Sequence, residues 1–123
     1  MDRSARRRTR ERDRMEARDL THLYHALRMR FPGLPPETAG RIADDTLELR
    51  GGRGAWGDPR LSERLRAYLV AHAWARHACT EYEALLDGAL GQGGPSREAA
   101  RIQVSHQVYA SLDRWRGRRG RGD

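Results

Sequence analysis

Apolar side chains recur at every third or fourth position along most of this chain, and proline or glycine interrupts the pattern wherever it stops. That spacing gives a helix one apolar face and leaves a strand with none. Ala17, Leu20, Tyr24, Leu27 and Phe31 form the first such face, ended by Pro32 and Gly33. Pro35 and Pro36 open a second helix, where a missing N–H costs nothing. Its face is Ala39, Ile42, Ala43, Thr46 and Leu49, and Gly51 and Gly52 stop it. Asp58 reads as an N-cap with Pro59 at the first helical position. Leu61, Leu65, Leu69 and Ala73 follow, with Tyr68, His72 and Ala75 beside them. The pattern runs on through Cys79, Tyr82 and Leu86 to Leu90, as one long helix or as two with a break near Thr80. Gly91 to Pro95 is a turn, and Ser96 caps a last helix with the face Ala100, Val104, Val108, Leu112 and Trp115.

Valine and isoleucine fall at helical spacing rather than in alternation, so no strand is expected. The fold class predicted is all-α, a single small domain of about four helices, bundle-like or orthogonal. A chain of 123 residues suits one domain and can bury a modest core without staples. The expected division is an Arg-rich arm over residues 1–14, a helical domain over 15–116 and a Gly/Arg tail over 117–123. The arm, almost free of large apolar side chains, is expected to lack regular structure.

Charge is distributed unevenly. All 24 basic residues are arginine, which reads first as a coding bias, because a chain without lysine did not choose arginine site by site. Residues 1–19 hold 8 Arg against 5 acids, residues 114–123 hold 5 against 1, and residues 20–113 hold 11 of each. The whole net charge of +7 therefore resides in the two ends. Arg3, Arg6, Arg7, Arg8, Arg10, Arg12 and Arg14 form a basic run, interrupted by Glu11 and Asp13. Arg114, Arg116, Arg118, Arg119 and Arg121 form the tail, spaced by glycines. Such ends suit sequence-tolerant binding to nucleic-acid phosphates, and they equally suit plain solubilisation. The terminal Arg121-Gly122-Asp123 matches a cell-adhesion tripeptide and is read as coincidence.

One cysteine, Cys79, allows no intrachain disulfide, in keeping with a reducing compartment. No apolar run is long enough to span a bilayer, and the first fourteen residues have no apolar core of a secretory signal. The cytoplasm is the default location.

The richest polar stretch is Arg76-His77-Ala78-Cys79-Thr80-Glu81-Tyr82-Glu83. Read as a site, Arg76, His77, Thr80, Tyr82 and Glu83 would face Arg97 and Arg101 of the last helix, with arginine forks holding a phosphate or carboxylate. Read as structure, the same groups form the ion pairs and hydrogen bonds that dock two helices. His72, His77 and Cys79, or His22 and His25, lack the spacing of a zinc site, so neither metal nor cofactor is expected. Cys79 beside His77 or His72 admits a nucleophile reading, but a lone cysteine on an apolar face is more often a small buried hydrophobe. The loop Gly51-Gly52-Arg53-Gly54-Ala55-Trp56-Gly57 lacks the Gly-Lys-Ser/Thr ending of a phosphate loop and a preceding strand; Trp56 reads as a core plug rather than a stacking platform.

Three stretches in order carry a family resemblance over the last three-quarters of the chain. They are Phe31-Pro32-Gly33-Leu34-Pro35 with the Gly/Arg loop after it, Arg76 to Leu86, and Arg97-Glu98-Ala99-Ala100-Arg101-Ile102-Gln103-Val104 leading to Trp115-Arg116. Together they resemble the bacterial and fungal domain of unknown function 2293. Trp74 and Cys79 stand where that family often has histidines. The resemblance implies a fold and a candidate surface, and no reaction.

The leading expectation is a non-enzymatic helical module that associates with nucleic acid through its Arg-rich ends. The alternatives are a protein–protein interaction domain or homodimer, and, less favoured, a small enzyme using His77 as acid/base on an anionic substrate.

Overall fold

The structure, a computed structural model, describes residues 3–50, 54–92 and 96–117. Among them are five α-helices: α1 (Arg3–Arg30), α2 (Pro36–Arg50), α3 (Glu63–Ala78), α4 (Tyr82–Gln92) and α5 (Arg97–Arg116). A 3-10 turn, Gly54–Gly57, lies between α2 and α3, and there is no strand among the described residues. The all-α reading holds, with the long middle segment divided into two helices at residues 79–81.

The punctuation explains the elements. Thr80 makes the division, since its hydroxyl donates to the Arg76 carbonyl and accepts from the Tyr82 N–H at 3.1 Å. One side chain thereby satisfies the end of α3 and the start of α4. Ser96 caps α5 as expected, accepting from Ala99 N–H at 3.1 Å. Asp58 does not cap α3. It holds a tight turn, accepting from the Arg60 backbone and guanidinium, while Ser62 caps the helix by accepting from Leu65 N–H at 3.1 Å. Pro59 and Arg60 form that turn, so α3 starts four residues later than the proline suggested.

Helix α3 is the hub, packed against α1, α2, α5 and the 3-10 turn. Its buried face is Ala67, Val70, Ala71 and Ala75, whereas Leu65 and Leu69 of the expected leucine face are 43% and 37% exposed. Small side chains let flanking helices approach closely, and large ones supplied from α1 and α5 fill the space between them. Leu23 and Leu27 of α1 and Phe31 just after it share one core with Val104, Val108, Leu112 and Trp115 of α5. Phe31 packs against Tyr68 with ring centroids 6.2 Å apart and against Trp115 edge-on at 6.4 Å. Trp56 is 7% exposed, with the Arg66 guanidinium over its ring, so it serves as a core plug. Cys79 is exposed at the α3 C-cap rather than buried, because the helix break carries it off the apolar face.

The α1–α2 turn and the end of α5 are tied at one pole. Gly33 donates to the Trp115 carbonyl at 2.7 Å, joining the α1–α2 turn to the end of α5. A Cβ at Gly33 would meet the Gly117 backbone at 2.8 Å, and Gly117 itself has a φ of +82°. Glycine is required at both positions.

Residues 3–14 of the N-terminal arm are helical rather than irregular. Helix α1 begins at Arg3, and its first contact region with α2 is the groove floored by Ala17, Leu20 and Leu47. At 1.5 Å per residue, residues 3–12 add about 15 Å of helix before that contact. No helix among the described residues is long and apolar enough to cross a membrane.

Candidate functional site

The polar motif divides between two faces of the α3–α4 corner. His77 donates from Nδ1 to the Glu83 carboxylate, bracing α3 against α4. Both line a groove of about 540 Å³ with Asp45, Thr46, Leu69 and Trp74. Asp45 accepts from the Trp74 indole N–H at 2.8 Å. Among the described residues, no arginine lines this groove. Arg76 instead lies with its guanidinium 5.5 Å from the centroid of buried Tyr82, and His77 meets the same ring edge-on at 5.1 Å.

The arrangement therefore brings His77 to Glu83 and Arg76 to Tyr82, with Thr80 holding the corner between them. Arg97 and Arg101 are exposed on the first turns of α5 and are absent from the groove lining. Among the described lining residues, the ionisable groups are two carboxylates and an imidazole, a polarity that disfavours a phosphate or carboxylate. The docking-network reading accounts for each of these contacts. Among the described residues, no three His, Cys, Asp or Glu side chains converge as metal ligands would.

The ends are arranged differently. Arg3, Arg6, Arg7, Arg8, Arg10 and Arg14 are all exposed on α1. Positions 3, 7, 10 and 14 share one stripe by helical register. Among the described residues, no ion pair engages any of these six arginines. No residue in the first described turn of α1, Arg3 to Arg6, is acidic, although Asp2 precedes it in the sequence. Cations at that positive end are unfavourable until an anion arrives. At the other terminus, Arg114 donates to Ser111 Oγ at 3.2 Å and Arg116 reaches Asp113 at 3.5 Å. Arg118, Arg119 and Arg121 lie outside the described residues.

A third cationic group was not foreseen. Arg30 at the end of α1 lies near enough to Arg64 of α3 and Arg116 of α5 to feel both charges, at the pole where the α1–α2 turn meets the end of α5. Burial, and then repulsion from Arg64 and Arg116, hold the Arg30 pKa below its ordinary value. Its guanidinium lies 4.9 Å from the Phe31 centroid and 5.0 Å from that of Tyr68. The visible signal was the four-residue ladder Arg64, Tyr68, His72, Arg76 along one side of α3.

His72, in that ladder, has its pKa lowered, first by burial and then by Arg76. The unfolded chain thus takes up this proton more readily than the folded one. The linked destabilisation is absent at neutral pH, sets in below the unfolded value near 6.5, and stops growing below the folded value. His72→Gln should lose less melting temperature than the parent between pH 7 and pH 5. Equal losses in thermal melts of the two proteins would contradict the assignment.

Residues 26–116 match the model of the family described as Uncharacterized conserved protein (DUF2293), and the chain belongs to that family. The matched span runs from the last turns of α1 to the end of α5, so Arg3 to Arg14 precede it. No curated protein and no solved structure matches the chain.

Proposed function

We propose that this DUF2293 member is a non-enzymatic helical module that associates with nucleic acid, its Arg-rich ends meeting backbone phosphates without regard to base sequence. The observation that carries this reading is the exposed arginine run on the first turns of α1, set apart from the charge-balanced body and engaged in none of the ion pairs among the described residues. A helix with arginines on several sides fits the major groove, whose width admits one helix, and can address phosphates on both walls. The positive end of the helix dipole adds to the case, since it favours a bound phosphate.

The test is affinity for mixed-sequence DNA and RNA across a salt series. With about six phosphates neutralised, log affinity should fall against log salt with a slope near −5. A flat response would remove the proposal.

One observation favours a second reading, a homodimer. A groove of about 810 Å³ between α1 and α2 has Asp13, Glu16, Asp19, Asp44 and Glu48 around its small apolar floor. Its charge complements the arginine run of a second copy. A dimer held this way would show twice the monomer mass in light scattering at low salt and dissociate as salt rises. A monomer at every salt concentration excludes it.

A further inference from the structure

Helices α3 and α5 pack together so that their exposed edges form a seam. On α3, Arg64, Tyr68, His72 and Arg76 follow one another at four-residue intervals. On α5, Arg101, Ser105, Tyr109 and Arg116 share one side by helical register. The two sets interlock. Tyr68 and His72 have ring centroids 6.1 Å apart, and His72 meets Tyr109 edge-on at 5.6 Å. Tyr109 is 52% exposed, an unusual position for an aromatic ring with no core to fill. At one end of this aromatic row stand Arg30, Arg64 and Arg116; at the other stands Arg76.

Packing alone does not account for that composition. Like charges brought together from three helices repel, and among the described residues neither Arg30 nor Arg64 has an ion-pair partner. Arg116 has Asp113 at 3.5 Å, with both side chains largely exposed, so the carboxylate is well screened by solvent. Arg30 is held by the faces of Phe31 and Tyr68 rather than by an anion. Cations flanking an exposed ring are what an unpaired base on a phosphate backbone requires. A duplex presents the phosphates but keeps its bases inside the stack.

We propose that the α3–α5 seam is a stacking platform for single-stranded nucleic acid, with Tyr109 as its exposed ring and Arg30, Arg64 and Arg116 holding the adjoining phosphates. The proposal rests on the nucleic-acid reading above and adds to it the form of strand and the surface that receives it. Arg64 and Arg76 are twelve residues apart on α3, about 18 Å, which leaves room for more than one nucleotide along the row.

The experiment measures binding of fluorescein-labelled twelve-residue oligouridine and of a mixed-sequence twelve-base-pair DNA duplex to the full chain. Three forms are compared: wild type, Tyr109→Ala and Tyr109→Phe. Tyr109→Ala should weaken oligouridine binding about tenfold, the loss of one base stack, with duplex affinity and melting temperature unchanged. Tyr109→Phe, which keeps the ring, should restore it. Oligouridine affinity unaltered by Tyr109→Ala overturns the platform and leaves phosphate binding by the ends intact, provided the salt slope persists. Wild-type protein that binds neither oligonucleotide overturns both.

Discussion

Replacing Arg3, Arg6, Arg7, Arg8 and Arg10 together with glutamine is expected to make the salt dependence of duplex affinity shallower by about 4.5 in log–log slope. Each arginine that meets a phosphate releases about one counterion, and five such contacts would vanish at once. Near physiological salt the remaining affinity should approach the weak end of non-specific binding. Melting temperature should hardly move, because these side chains are exposed and outside every ion pair among the described residues. Glutamine keeps helix propensity close to that of arginine, so the arm retains its backbone preference while losing its charge. A parallel series measured by fluorescence anisotropy would show the two slopes directly. Coincident slopes would mean that the arm contacts no phosphate.

Phe31→Ala should cost about 3–5 kcal/mol of stability, a large share of what a domain of this size commands. Phe31 is 1% exposed and joins three helices. It ends the core face of α1, stacks on Tyr68 of α3 and abuts Trp115 of α5. Removing the ring leaves a cavity between Tyr68 and Trp115. The Arg30 guanidinium also loses one of its two aromatic supports. Urea titration of the two proteins would measure the difference. A loss below about 1 kcal/mol would show that Phe31 does not occupy the centre of the core.

Helix identity was legible because its signals are local. The period of three and four, Pro36 at the start of α2 and the Ser96 cap are all determined by neighbours in sequence. The face of α5 was read correctly for the same reason: Ala100, Val104, Val108, Leu112 and Trp115 are all buried. Burial on α3 was not legible, because it depends on which helices arrive from elsewhere. Leu65 and Leu69 look like core and are partly exposed, while Ala67 and Ala71 are sealed by α1 and α5. On α1, Leu23 and Ala26 are buried beside the expected Leu27 and Phe31, because two flanking elements widen the covered face beyond a single stripe.

The polar motif shows a further limit. Helical spacing could bring Arg76, His77 and Glu83 near one another, but spacing within one helix is silent about a corner. Thr80 turns the chain, so Glu83 reaches His77 beside the groove while the buried Tyr82 ring meets both Arg76 and His77. The arm illustrates the opposite error. Scarcity of apolar residues argued against regular structure, whereas the helix continues outward from its anchored half. Propagation needs no new nucleus once the adjoining turns are fixed by packing.

Amide hydrogen exchange of the full chain, with and without a saturating mixed-sequence duplex, gives the most direct answer. Residues 3–14 carry cations at the positive end of a helix and have little packing of their own, so their amides should exchange readily in the free protein and slow markedly when phosphates bind. Amides facing the α3 groove around His77 and Glu83 should keep their free-state rates. Protection that appears at that groove, with residues 3–14 exchanging as before, would contradict the assignment of binding to the cationic end of α1.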